Sequence, residues 1–214
     1  MTGDQWCQSM PCVSLLGSDI ILNQPFSSLL VYMLGGAWLW AAWRFWKTKG
    51  TQKSKYWWSI SLLLGGVAAL SAGTSYQAFG YELKCAGREL CHWTSWWEIA
   101  YMVLQVGSFN SMLIAVAYSS TQGVWQKGLF VYAVINFTTH LVITLVGALL
   151  PSKFLISFEL LVLFTTPTFI LYFVINGWRY LRFKQKLDLV LLGSWAILVL
   201  TNTFYYAYLL LGYT

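Results

Sequence analysis

Residues 127–150 read KGLFVYAVINFTTHLVITLVGALL, and between Lys127 and Pro151 there is no Asp, Glu, Lys or Arg. A helix over this run is about 36 Å long at 1.5 Å per residue, enough to cross about 30 Å of hydrocarbon. Pro151 ends it, because the residue before a proline is pushed out of the helical region. Ser152 and Lys153 are then almost the whole link to a second apolar run over 154–177. Further runs over 26–46, 57–80, 95–118 and 187–211 have similar length, and Pro25 precedes the first, where its missing N–H costs nothing. The expected fold is therefore all-α: a polytopic membrane helical bundle of about six transmembrane helices. Residues 26–214 form one bundle domain, with 1–25 as a short extracytoplasmic N-terminal cap.

Composition closes off the alternatives. Charged residues make up 9% of the chain and hydrophobic ones 58%, whereas a soluble domain carries about 25% charged residues. Too few charges remain to cover a soluble surface, and the chain is too apolar to be disordered. A transmembrane β-barrel would alternate over segments of about ten residues; these runs are continuous. The net charge of +6 does not point to nucleic acid, because nearly all the basic residues sit in short loops between apolar runs, where they orient a membrane protein.

Their distribution predicts the topology. Arg44, Lys47, Lys49, Lys53, Lys55, Lys127, Arg179, Arg182, Lys184 and Lys186 fall on one face. The other has Lys84, Arg88 and Lys153, offset by Asp4, Asp19, Glu82, Glu89 and Glu98. The basic face should be cytoplasmic, with both termini outside, in a plasma membrane or bacterial inner membrane. Cys7, Cys12, Cys85 and Cys91 all lie on the predicted outer side, as disulfides would in an oxidising compartment, with three pairings open. Trp43, Trp46, Trp57, Trp58, Trp125 and Trp178 sit at the predicted inner interface, and Trp93, Trp96 and Trp97 at the outer one, forming aromatic belts. Residues 1–25 lack the basic start of a secretory signal. The apolar stretch 12–22 is too short to span, so it reads as an interfacial cap, with a partial seventh helix as the alternative.

Polar side chains within spans turn inward. The second span carries Gly65, Ala69 and Gly73 at four-residue spacing with Gln77 next, a small-residue stripe for close helix contact. The third has Glu98 and Gln105 on one face. The fourth aligns Asn136, His140, Thr144 and Gly147. The fifth carries Glu159, Leu163 and Thr166 ahead of Pro167, whose missing N–H frees the carbonyl of Leu163. The sixth holds Thr201, Asn202 and Tyr205 or Tyr206. Gln77, Gln105, His140, Glu159 and Asn202 all fall in the outer half or near mid-depth, which predicts a ligand-binding cavity open to the outside. The short link between the fourth and fifth spans predicts that His140 and Glu159 meet in it.

Specific chemistries find little support. No span has a lysine at depth for a retinal Schiff base, and only one histidine lies in a span, against two for a bis-histidine haem. Cys85, Cys91 and His92 match no zinc spacing, and no phosphate loop or G-x-S-x-G is present. No metal ligand, catalytic residue or cofactor is assigned. The passage SAGTSYQAFGYE at 71–82, with WWEI at 96–99, resembles the second-to-third helix region of seven-helix bacterial membrane proteins related to the CREST group, which includes alkaline ceramidases and PAQR receptors. The resemblance implies zinc held by histidines. Gln77 stands near where one would be expected, and the last helix reads Asn202-Thr203-Phe204-Tyr205-Tyr206, with none. Hydrolase activity is thereby argued against. The expected function is non-enzymatic: binding or translocating a small or amphipathic, lipid-like ligand in the bilayer. The alternatives are an accessory subunit, docked on a membrane-protein partner or on a second copy, and a lipid-modifying enzyme.

Overall fold

A computed structural model describes residues 3–8, 12–14, 20–48, 50–150 and 152–210, with the side chains of Asp4, Asn202 and 205–210 outside the described set. A short helix α1 (Gly3–Cys7) leads to an antiparallel pair, β1 (Cys12–Ser14) and β2 (Ile21–Asn23). The long helices are α2 (Pro25–Lys47), α3 (Lys53–Ala72), α5 (Trp96–Ser120), α6 (Gly123–Leu149), α7 (Phe158–Phe183) and α8 (Lys186–Leu210). A π-helical turn, Gly73–Ala78, and a five-residue helix α4 (Gly80–Lys84) follow α3. Among the described residues, five helices are long and apolar enough to cross a membrane: α2, α3 with its π-turn, α5, α6 and α7.

The helix starts follow local chemistry. Pro25 opens α2. Ser95 and Ser157 cap α5 and α7, their hydroxyls accepting from the backbone N–H of Glu98 and Leu160, which satisfies donors that have no partner within the helix. Lys184 ends α7 in the left-handed region at φ 52°. Basic side chains cluster at one end of the bundle, at the end of α2 and in the last turn of α7, and at the starts of α3, α6 and α8. Both disulfides, Cys7–Cys12 and Cys85–Cys91, lie at the other end, with Cα–Cα distances of 5.5 and 4.3 Å. We call the two ends basic and disulfide.

α5 is the central helix. It is buried without a break from Val106 to Ala117 and packs against α3, α6 and α7, while α2 leans on α3 and α8 on α7. Lipid tails are as apolar as leucine, so close packing and interhelical hydrogen bonds hold such helices together. At the α2–α3 crossing, a Cβ on Gly66 would meet the Gly35 carbonyl oxygen at 3.1 Å, and one on Gly35 would meet the Gly66 oxygen at 3.2 Å. Nearby, Ser59 donates to the Ala42 carbonyl at 2.8 Å. α3 and α5 are joined where Ser108 Oγ donates to the Ser61 carbonyl at 2.8 Å. Asn136 Nδ2 on α6 donates to Asn110 Oδ1 on α5 at 3.1 Å and to the Phe164 carbonyl on α7 at 3.0 Å. Three helices thus meet on one amide, three residues before Pro167.

Several expectations shift. The second span starts at Lys53 and leaves α-helical geometry at Gly73 rather than running to 80. A 3-10 turn, Phe154–Ile156, delays α7 to Phe158. The described ends of the 12–22 stretch pair as strands rather than forming a helix. The small-residue stripe does lie at an interface, but Gly66, outside the stripe, makes the backbone approach. Trp57 and Trp58 pack on the core instead of joining the belt, whereas Trp43, Trp46, Trp125, Trp178, Trp93, Trp96 and Trp97 are exposed.

Candidate functional site

A cavity of about 690 Å³ opens between α2, α3, α5, α7 and α8. Leu34 and Trp38 line it from α2, Gly65 and Ala69 from α3, and Phe109 and Phe169 from α5 and α7. The small side chains on α3 leave the space, and α8, which packs mainly on α7, does not fill it. Its mouth carries Glu159, in the first turn of α7, with Gln105 further in on α5. Among the described residues, Glu159 and Tyr101 are the only titratable side chains on the wall.

The cavity extends well into the bundle. Glu159 lies at the very start of α7. Gln105 is nine residues into α5, about 13 Å along at 1.5 Å per residue. Phe109 and Phe173 are thirteen and fifteen residues into their helices, about 20 Å along. That reach exceeds one leaflet's share, about 15 Å, of a hydrocarbon core about 30 Å thick. Glu159 is exposed and forms no ion pair among the described residues. An apolar slot with a lone carboxylate at its mouth suits a molecule with an apolar tail and a head that donates hydrogen bonds or carries positive charge.

The expected constellation is only partly assembled. Gln105 and Glu159 share the cavity. Thr203 of α8 lines it too, but the side chain of Asn202 lies outside the described residues. His140 is fully buried elsewhere, 3.4 Å from the Thr144 hydroxyl and edge-on to Phe164 with ring centroids 5.2 Å apart. The expected meeting of His140 with Glu159 does not occur, for a geometric reason. The 3-10 turn moves Glu159 to the start of α7, so His140 stands level with Phe164. Five residues separate Phe164 from Glu159, about 7 Å of depth and about 140° around the helix. The stripe of Asn136, His140, Thr144 and Gly147 does turn inward, but it packs: a Cβ on Gly147 would meet Ile156 Cγ1 at 3.1 Å. Leu163, expected on the inward stripe of α7, faces outward at 63% exposure. Gln77 is half-buried in the π-turn, its Oε1 buried without a hydrogen-bond partner, and it is not on the cavity wall.

A polar cluster at the disulfide end escaped the sequence reading. Glu98 is 3% exposed. Its carboxylate accepts from Ser75 Oγ at 2.9 Å and Thr94 Oγ1 at 3.0 Å and forms an ion pair with Lys84 Nζ. Ser75 and Ser95 share a further hydrogen bond at 2.6 Å. Ser75 sits in the π-turn, so the turn, α4 and the start of α5 are fastened together. The signal was available: Ser95-Trp96-Trp97-Glu98 has the spacing of a capping box. Half the box forms, with Glu98 N–H donating to Ser95 Oγ at 3.3 Å; the carboxylate turns away to Ser75, Thr94 and Lys84. Among the described residues, no three His, Cys, Asp or Glu side chains come together to hold a metal ion. Comparison with protein families, curated proteins and solved structures finds no match to this chain.

Proposed function

We propose that this chain is an integral membrane protein of six spans, with α8 as the sixth. Both termini and the N-terminal cap lie outside the cell, and it binds or translocates an amphipathic molecule through the cavity between α2, α3, α5, α7 and α8. The tail lies along Leu34, Phe109 and Phe169, and Glu159 with Gln105 receives the head. The observation that carries this is the lone carboxylate at the mouth of a mostly apolar cavity reaching past one leaflet's depth. One carboxylate and one tyrosine on the wall favour binding over acid–base chemistry, which needs positioned proton donors and acceptors. The orientation rests on the basic side chains at one end of the helices and the disulfides at the other, which agree through different residues.

The test is native mass spectrometry of the protein purified in mild detergent, identifying whatever lipid stays bound. Thr166 lines the cavity, is exposed and bonds only back to the Val162 carbonyl, so Thr166→Trp fills space without opening the core. Thr166→Trp should remove the lipid whose binding Glu159→Gln only weakens, whatever lipid remains bound elsewhere on the protein. Unchanged adducts in both variants would reject the reading.

A further inference from the structure

A second cavity, of about 1010 Å³, lies at the basic end between α5, α6 and α7. We propose that it is a binding site for an anionic phospholipid of the leaflet facing the basic end, with the phosphate held at Arg182. This is a separate site from the one bearing Glu159 and rests only on the chain's insertion in a membrane.

The fold opens this cleft. Near the disulfide end, α6 and α7 are joined by a short link, and at mid-depth Asn136 bonds the Phe164 carbonyl. Towards the basic end, Leu129 of α6 and Leu171 and Ile175 of α7 stand on the walls of an open space. Leu171 lies twelve residues before the end of α7, about 18 Å at 1.5 Å per residue, so this cleft too has the depth of a leaflet. Trp125 and Trp178 flank its rim, 78% and 51% exposed, at the level where indoles meet headgroups.

The rim also sets the charge. Two arginines line it, and they are not equivalent. Arg179 is committed: its Nε pairs with the buried Asp188 at 3.1 Å, and its Nη1 donates to the Ser119 carbonyl at 3.0 Å. Arg182 has no carboxylate partner among the described residues. Its guanidinium lies 5.3 Å from the Trp178 ring centroid and 5.6 Å from that of Phe183. A planar guanidinium binds phosphate through paired N–H donors. Asp188 offsets Arg179 and nothing offsets Arg182, so the rim is net positive above an apolar slot. An anionic headgroup joined to an acyl chain complements both parts.

Full-length protein in mild detergent is titrated with phosphatidylglycerol, with phosphatidylcholine and with inorganic phosphate, and bound lipid is counted by native mass spectrometry. Phosphatidylglycerol should bind at least about tenfold more tightly than phosphatidylcholine, and millimolar inorganic phosphate should not displace it. Arg182→Gln should remove most of that preference. Lys184→Gln removes the same charge at the same end, but Lys184 is off the cavity wall and over the Tyr180 ring; it should leave the preference nearly intact. Both substituted side chains are exposed, and unchanged melting temperatures would show that the fold survives. Equal binding of the two lipids, equal loss in the two variants, or displacement by inorganic phosphate would each overturn the site. Thr166→Trp should not alter this preference, so failure here and failure of the cavity bearing Glu159 are told apart.

Discussion

Lys84→Met and Glu98→Gln break the same ion pair from opposite sides, and the structure predicts that they differ in cost. Glu98 is 4% exposed at its side chain and Lys84 16%. In Lys84→Met, the carboxylate stays buried with only the Ser75 and Thr94 hydroxyls as side-chain donors. Removing one partner of a buried pair costs about 3–5 kcal/mol, because the other charge is left uncompensated. In Glu98→Gln, the amide oxygen keeps an acceptor for Ser75, and the Thr94 hydroxyl can turn to accept from the amide. Lys84 ends the short helix α4, lies 5.2 Å from the Tyr76 ring centroid and is near water, so it can hydrate its charge. That side of the pair should cost about 1–3 kcal/mol, the range for charge-assisted hydrogen bonds. The double variant leaves no buried charge and should be more stable than the sum of the single changes implies, by about 1–3 kcal/mol of coupling. Unfolding of purified protein in mild detergent, followed by tryptophan fluorescence against denaturant, measures all four corners of the cycle. If Lys84→Met costs less than about 0.5 kcal/mol, or the two changes simply add, Glu98 is not held as described.

Gly66→Ala should destabilise by about 1–3 kcal/mol, the cost of overpacking. The new methyl meets the Gly35 carbonyl oxygen at 3.1 Å, whereas Gly36→Ala, with nothing within 4 Å, should be neutral in the same denaturation experiment. Asn136→Leu should cost about 1–2 kcal/mol by removing the bonds that join α5, α6 and α7; a fully stable variant would show that the amide is not a fastening. Peptide mapping without reduction should recover Cys85 joined to Cys91 and Cys7 to Cys12, and a cross-link between the two segments would contradict the fold. Replacing Cys85 and Cys91 by serine should cost about 2 kcal/mol, the chain-entropy value for so short a loop.

What the sequence reveals here depends on whether a property is periodic or positional. Span lengths, the basic end and the clustering of cysteines depend on composition over twenty residues, and they reappear in the helices, in the charges at their ends and in the two local disulfides. The central place of α5 was also written in the chain. Small and polar residues, Gly107, Ser108, Asn110 and Ser111, stand together in mid-span there, and such residues turn towards neighbouring helices rather than lipid. The inward stripe of α6 followed from the helical period. Gln105 and Glu159 share a cavity as the sequence suggested, but the wider constellation depends on shifts of a few residues. A three-residue 3-10 turn carried Glu159 away from His140, and a π-turn at Gly73–Ala78 placed Ser75 against Glu98.

The two cavities lie where the helices around α5 part. α5 holds the bundle through buried small and polar side chains, Ser108 towards α3 and Asn110 towards α6. Helices that pack so closely around one centre must diverge where their side chains no longer match. On the disulfide side, Gly65 and Ala69 leave room that α8 does not fill. On the basic side, α6 and α7 part beyond the Asn136 fastening. Each gap reaches about a leaflet into the bundle and ends in a charged side chain that has no counter-ion among the described residues: Glu159 at one end, Arg182 at the other. In hydrocarbon a charge is costly unless it is solvated or paired, and under the two proposals above a lipid headgroup would supply that pairing at each mouth. On those proposals the opposite signs of the two mouths predict opposite selectivities, a donor-bearing or cationic head at Glu159 and an anionic one at Arg182. Exchanging the charges, with Glu159→Arg and Arg182→Glu made separately, should invert the lipid preference at each cavity while leaving the other unchanged.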